Sequence, residues 1–583
     1  MIADPDSRQA RTTSPLPPRH HPRPGASCGL LIVALRAVAC ADRDAASGSS
    51  HPPPLELAVA PELDSDGGAK SCQTPAGQDD GWAPREGAPI TLQAPIAFQP
   101  RFGGRDAGPD DAGPGPGVAR PPVDNIVLEA IAALARSGVP LADPIENDRG
   151  VALTALPGAA RQDMVQPGAR GSVIALYGTN GRHCETCHYV GDAWSITPRR
   201  ALTLFETTRG SSASNDSAVA NDELDPLFRT IDAATSPHAD VSSPAAREAA
   251  YALLLGRGLI RVGLAIPSGA EFSLAAVDDP YAHASASELS LYRRPLPMMN
   301  VRFLTDLMWD GRHTTPCATL ATMLGNQASD AVRRHLQAEA PLSDNDNVLI
   351  QDRERIIFFA QAIDHQAGAL DADGAVGGPV NLSAQPFYVG MNAYPGPDPR
   401  GRAHDERAFT LFDAWEAGAG GDARSQARLA LVRGQALFNS RTFDIENVSG
   451  LNDELGMPAI TGTCTTCHNA PNLGNNSEGL RFDIGIADAR RRPPELPLYT
   501  LERRGTGETV QTMDPGRALV SGRWRDVGRF KVPTLRGLAA RAPYFHDGSA
   551  TSLTQLIEYL DHRFSIQLTA EEKSDLAAFL GAL

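Results

Sequence analysis

Cysteine is scarce in this sequence: 583 residues contain 8, alongside 5 Trp and 9 Met. So sparse a set cannot knit a chain of this length into the cross-linked framework of a small secreted domain. Positive charge is short as well. Lys and Arg total 53 against 69 Asp and Glu, a formal net charge of -16. That balance argues against nucleic-acid binding, where clustered cations displace counterions from phosphates, and suits a basic protein partner better. Long apolar runs are also lacking. The best stretch, Cys28 to Leu35, is far too short to span a bilayer. With Arg19, His20, His21 and Arg23 before it and Ala37-Val38-Ala39-Cys40 after it, the stretch reads as an export signal over residues 1–40. Cys40 is a weak site for lipid attachment.

Glycine and proline, by contrast, are plentiful at 54 and 47, and hydrophobic residues make up 42% of the chain. Cores connected by long irregular segments are expected. Residues 41–122 have too few apolar side chains to offset the entropy of ordering and are expected to form a disordered tether. Order is expected from Asp124, a possible N-cap for a helix bearing Val127, Leu128, Ile131 and Leu134. The prolines between Tyr394 and Gly401 cannot continue a helix, and divide the rest into domains at 123–395 and 396–583. Helical periodicity appears in Leu553, Leu556, Ile557 and Leu560, and again in Leu576, Phe579, Leu580 and Leu583 behind a Thr569/Glu572 capping box. No alternating pattern of comparable strength suggests strands, so a mainly α fold is expected.

Four of the cysteines form Cys184-Glu185-Thr186-Cys187-His188 and Cys464-Thr465-Thr466-Cys467-His468. At this composition about 0.003 C-x-x-C-H matches would arise by chance. Two thiols at this spacing reach the two vinyl groups of one haem, and the adjacent His falls beneath the iron as proximal ligand. Zinc binding and thiol redox chemistry also use C-x-x-C. Zinc needs further ligands, however, and neither motif is followed by a second C-x-x-C or an H-x-x-x-H. Two covalently bound haem c groups are therefore expected. Combined with the export-like segment, they imply the periplasm, with a lipid tether as a variant. Cys28, Cys40, Cys72 and Cys317 share no evident framework.

Pro297-Met298-Met299-Asn300-Val301-Arg302-Phe303 leads into Met308-Trp309-Asp310-Gly311-Arg312, and Val532-Pro533-Thr534-Leu535-Arg536-Gly537 into Ala542-Pro543-Tyr544-Phe545-His546-Asp547-Gly548-Ser549. With the two C-x-x-C-H motifs, this order resembles the bacterial dihaem cytochrome c peroxidases and the related MauG enzymes. The resemblance covers residues 124–583, with insertions near 205–290 and 338–430. It implies two cytochrome c-like haem domains. The first haem would meet hydrogen peroxide, and the second would receive electrons from a small cytochrome or cupredoxin. By motif match, Trp309 would carry charge between them, Arg312 and Arg536 would pair with haem propionates, and His546 would lie near the second haem.

Several positions depart from the family. Peroxidatic members hold a Glu where this chain has Gln337, and an amide cannot be a general base. His335 or Glu339 is the expected substitute, unless peroxide turnover is weak. Leu560 stands where the family places the second haem's outer Met or Tyr, leaving Met513, Tyr559 and His562 as candidates. No His lies between His188 and His238, so an open, five-coordinate first iron is expected. A sixth ligand from Met298, Met299 or His238 would instead make the protein an electron carrier without catalysis. Arg294 and Arg541 occupy the positions matching a calcium site of many members, so calcium is doubtful and an arginine charge would replace it. A MauG-like oxidase of a protein or organic substrate is the third reading.

Overall fold

The computed structural model describes residues 144–157, 175–211, 225–230, 234–314, 318–394, 398–418 and 420–583. The export-like segment, the tether, the Asp124 helix, Cys317 and the prolines at 395 and 397 lie outside the described residues.

The fold is mixed α/β, which corrects the mainly α expectation. Strand β1 (Ile145–Asn147) and β2 (Gly150–Ala155) open the described chain. Helix α1 (Cys184–Cys187) carries the first motif. Three strands follow, β3 (Ile260–Leu264), β4 (Phe272–Asp278) and β5 (Leu289–Arg293). Next come helices α2 (Leu320–Arg334) and α3 (Asp344–Arg355), then β6 (Phe358–Asp364) and β7 (Gly368–Ala369). After α4 (Ala423–Ser440), strands β8 (Leu498–Arg503) and β9 (Thr509–Thr512) precede the last two helices, α5 (Leu553–Phe564) and α6 (Ala570–Gly581).

An antiparallel sheet runs β1-β2-β6-β7, and a second runs β9-β8-β4. Every residue of β2 and β6 is buried. A strand covered on both faces shows no hydrophobic alternation, so Phe358-Phe359-Ala360-Gln361-Ala362 gave no strand signal. Strand β4, from the first insertion, pairs with β8 far along the chain: Tyr499 lies opposite Val277 and Leu501 opposite Leu274.

One core cluster draws residues from both sides of the 394–401 segment. Leu370, Phe409, Phe412 and Trp415 pack in one cluster with Phe438 of α4 and Phe579 of α6. Gly434 makes the crossing of α4 over α6 possible, because a methyl group there would lie 2.1 Å from the Asp575 carbonyl oxygen. Arg433 locks the crossing with two bonds to Asp575, at 2.6 and 2.8 Å. The Thr569/Glu572 capping box is present at the start of α6. The chain end closes the fold, with the Leu583 carbonyl accepting from Gln361 and Gly537.

Candidate functional site

The two C-x-x-C-H segments fold alike. In each, the third residue is Thr, whose hydroxyl accepts from the peptide N–H before the first Cys: Thr186 from His183 at 3.1 Å and Thr466 from Thr463 at 3.0 Å. The His peptide then donates to the first Cys carbonyl, at 2.9 Å for His188 and 3.1 Å for His468. One tight turn thus gathers two thiols and an imidazole. The four cysteines are half-buried. Burial pushes Cys184, Cys464 and Cys467 up to about 12, disfavouring their thiolate forms.

Both imidazoles are held by the same device. His188 Nδ1 donates to the Trp194 carbonyl at 3.2 Å, and His468 Nδ1 to the Gly474 carbonyl. A carbonyl only accepts, so the proton sits on Nδ1 and Nε2 keeps a lone pair for a metal. Burial keeps both rings neutral, lowering His188 to about 4.

The surroundings of the two turns differ. Beside the first lies a cavity of about 170 Å³, lined by Cys184, Cys187 and His188. One helical face of α2, comprising Leu324, Gln327, Ala328, Ala331 and Val332, forms one wall, with His335 just beyond its end. Ile350 and Glu354, one turn apart on α3, form another. Arg312, Met298, Met299 and Trp309 complete the lining that matters here. The His335 backbone is held from the loop leading into the first motif, since its carbonyl accepts from Asn180 Nδ2 at 2.8 Å and Arg182 Nη1 at 3.4 Å.

Of the three residues considered for proton transfer, His335 lines the cavity, whereas Gln337 and Glu339 are not among its lining residues. Gln337 takes the left-handed conformation (φ 56°) just past α2, and its carbonyl accepts from Thr179. His238 points elsewhere, stacking edge-on against His283 and meeting the Ala282 carbonyl. Glu354 was missed altogether. The residue is 4% exposed, Oε2 has no hydrogen-bond partner among the described residues, and burial pushes the carboxyl up to about 8. No motif marks this residue; only the packing of α3 against the cavity does.

Trp309 touches both surroundings. It lines the cavity and also packs with Ile486 and Phe530 in a cluster that includes Ile484, Phe545 and Tyr559. Ile484 belongs as well to the cluster around Cys467. The indole donates to the Arg294 carbonyl at 2.8 Å, and the Trp309 carbonyl accepts from the Lys531 peptide. His546 lies edge-on to Trp309, with centroids 6.2 Å apart, and stacks on Phe530 at 4.3 Å. Below the indole runs a buried ion network: Arg293 binds Asp514 at 2.6 and 2.8 Å and Asp310 at 2.5 Å, while Arg312 binds Asp310 at 3.0 Å. Burial opposes ionisation of Asp310, yet Arg312 and Arg293 hold its carboxyl below the usual range.

Near the second turn, Tyr559 donates to the Ile484 carbonyl at 2.6 Å and packs edge-on to Phe545, with the Arg491 guanidinium 4.1 Å above its ring. Met513 instead packs with Leu253, Leu259, Tyr292 and Leu496, a cluster without either cysteine of that turn. Arg536 is fully buried. Its Nε donates to the Asn472 carbonyl at 2.7 Å, while Nη1 and Nη2 have no partner among the described residues.

Paired thiols, lone-pair-bearing imidazoles, an adjoining cavity and a buried guanidinium lacking an anion together fit haem c, whose propionates such an Arg would bind. No protein-family model matches the chain. The chain is nonetheless a relative of the bacterial dihaem cytochrome c peroxidases and MauG. It is 31% identical over 160 residues to a cytochrome-c peroxidase of Pseudomonas sp. (strain SCT), covering 24% of this chain and 41% of that protein. The cytochrome c551 peroxidase of Nitrosomonas europaea is 31% identical over 123 residues, covering 21% and 30%. The methylamine utilization protein MauG of Methylorubrum extorquens is 23% identical over 220 residues, covering 35% and 50%. The chain thus spans half or less of these relatives' length. A solved MauG-like protein associated with microbial copper homeostasis aligns over 51% of this chain and 75% of its own at 15% identity, with a TM-score of 0.26. These relatives imply haem c as the cofactor.

Proposed function

We propose that the protein is a periplasmic dihaem peroxidase that reduces hydrogen peroxide at the first motif with electrons received at the second. The observation that carries this reading is the cavity beside His188, which brings His335 and Glu354 to one of two otherwise equivalent turns. Cys184, Cys187 and His188 would hold one haem, and Cys464, Cys467 and His468 the other, each His through Nε2. Haem c supplies an iron that takes up and passes on electrons one at a time.

The chain's own residues do the rest. His335 accepts a proton from the incoming peroxide. Gln327 and Arg312, two of the polar groups in the lining, orient it, while Ala328 and Ala331 leave room. Trp309 carries charge between the two sites through its contacts with Phe530 and Tyr559. Arg536 would bind a propionate of the second haem, and Tyr559 would be a candidate to hold its iron. The overall change is hydrogen peroxide, two electrons and two protons to two waters, with the electrons from a small reduced cytochrome or cupredoxin.

A MauG-like oxidase of a protein or organic substrate is the second reading, in which Tyr559, if it held the second iron as tyrosinate, would favour higher oxidation states where Met raises the potential. Optical and EPR spectra of the oxidised, half-reduced and reduced holoprotein, before and after hydrogen peroxide, test both. One high-spin and one low-spin haem with rapid peroxide reaction and turnover with a reduced donor is the expected result. Peroxide reaction without donor turnover would favour the oxidase. Two low-spin haems inert to peroxide would make the protein an electron carrier.

A further inference from the structure

Three features compete for a role beyond those already described. His238, His283 and Glu288 gather near the surface, but His238 is tied to a carbonyl and Glu288 to Arg261, and among the described residues no three such groups are disposed for a metal. Buried Lys531 donates to the Asp306 carbonyl and is satisfied there. Glu354 is different.

We infer that Glu354 is the acid of the first-haem cavity, giving a proton to the departing oxygen of a bound peroxide while His335 takes one from the other oxygen. The inference deepens the peroxidase reading and rests on it. Among the described residues lining the cavity, Glu354 is the one carboxyl, and the other ionisable side chains are Arg182, Arg293, Arg294, Arg312, Lys531, His183, His188, His335 and the two cysteines. Its Oε2 is buried and has no partner among the described residues, an arrangement that costs stability and is kept where the free atom has a ligand to meet. Ile350 and Glu354 stand one turn apart, so α3 presents the carboxyl from an apolar wall. No basic side chain compensates the burial, so the group keeps its proton at neutral pH, the state a general acid needs. The groups facing it from neighbouring elements are Cys184 of α1, a neutral thioether once haem is attached, and His335 beyond α2.

The step balances. One O–H bond of the peroxide breaks, its proton passing to His335. The O–O bond breaks, and the departing hydroxide takes the Glu354 proton and leaves as water. The remaining oxygen takes two electrons from the reduced donor protein and two protons, one returned by His335 and one from solvent, and leaves as the second water, while solvent returns a proton to Glu354.

The test compares holoproteins with Glu354 intact, E354Q and E354D, each checked for two haems. Difference infrared spectroscopy of the resting protein at pH 7 reads the protonated carboxyl directly: its carbonyl band is expected in the native protein and absent in E354Q. In stopped flow with hydrogen peroxide, E354Q is expected to react about 10²- to 10⁴-fold more slowly, with E354D retaining part of the rate. The native rate should fall as pH rises through about 8, whereas E354Q should show no such step. A native protein lacking the infrared band, or an E354Q that reacts at the native rate, overturns the inference and leaves the peroxidase reading standing. A native holoprotein inert to peroxide overturns both. If E354Q fails to load haem, the infrared band and the E354D rate decide alone.

Discussion

The two C-x-x-C-H turns are nearly the same object placed in different surroundings. Each has a Thr hydroxyl closing the turn, a His peptide bonded to the first Cys carbonyl and an imidazole tied by Nδ1 to the carbonyl six residues on. The first opens on a cavity whose walls carry His335 and Glu354. The second is wrapped by Phe438, Val448, Ile460 and Phe482, with Tyr559 and Phe545 nearby. The lesson is that the motif sets what can be bound, and the neighbouring helices set what the bound group can do. Packed surroundings suit electron transfer, and an open site with titratable walls suits chemistry.

The most severe way to break the comparison is to remove one turn at a time. C184A/C187A and C464A/C467A are each expected to halve the haem content, read by pyridine haemochrome against protein concentration. On the proposed division of labour, the first variant loses all reaction with peroxide. The second still reacts with peroxide but accepts no electrons from a reduced cytochrome. Equal residual behaviour would mean that the surroundings do not divide the roles.

The ion network below Trp309 joins the two regions, with Arg293 and Asp310 on one side and Asp514 on the other. D310N leaves Arg312 without its buried anion and is expected to cost about 3–5 kcal/mol in chemical denaturation. Because the native carboxyl titrates below its unfolded value, its contribution is complete above about pH 4 and fades as pH falls further. The gap between native and D310N stability should therefore narrow in acid. A uniform gap would place the cost in packing instead. At the next level, W309F preserves the aromatic packing and removes the easily oxidised indole. Electron transfer between the sites should slow on the order of tenfold, about 1.4 kcal/mol of barrier, with haem content unchanged. An unchanged rate would route the electrons elsewhere.

Much of this site was legible in the sequence, and the rest was hidden for physical reasons. The C-x-x-C-H turns are local, so spacing alone specified them, and the Thr569 capping box announced α6 for the same reason. Strands β2 and β6 are buried on both faces and carry no alternation to read. The pairing of β4 with β8 joins segments far apart in sequence. Counting along the chain led to Gln337 and Glu339, yet α2 ends just before them and turns them off the cavity. Glu354 enters from the next helix, through packing that no spacing rule encodes. Met513 sits at a plausible distance in sequence but belongs to a different cluster in space.

The finest probe of the comparison concerns the seam between the two regions, where Arg294 and Arg541 fill positions that resemble a family calcium site. Arg294 donates to the carbonyls of Arg541 at 3.1 Å and Arg257 at 3.3 Å, and Arg541 donates to those of Arg536 at 3.2 Å and Thr534. These carbonyl oxygens would otherwise be hard-cation ligands, and the guanidinium donors already satisfy them. Two fixed positive charges would also repel an incoming divalent ion. Calcium and its chelators should therefore leave the haem spectrum, the peroxide rate and the inter-site electron transfer unchanged within error. R541A should lower stability and gain no calcium dependence unless the freed carbonyls capture the ion. A calcium-dependent spectrum in the native protein would show that the arginines yield the seam to a cation, and would reverse the assignment of that charge.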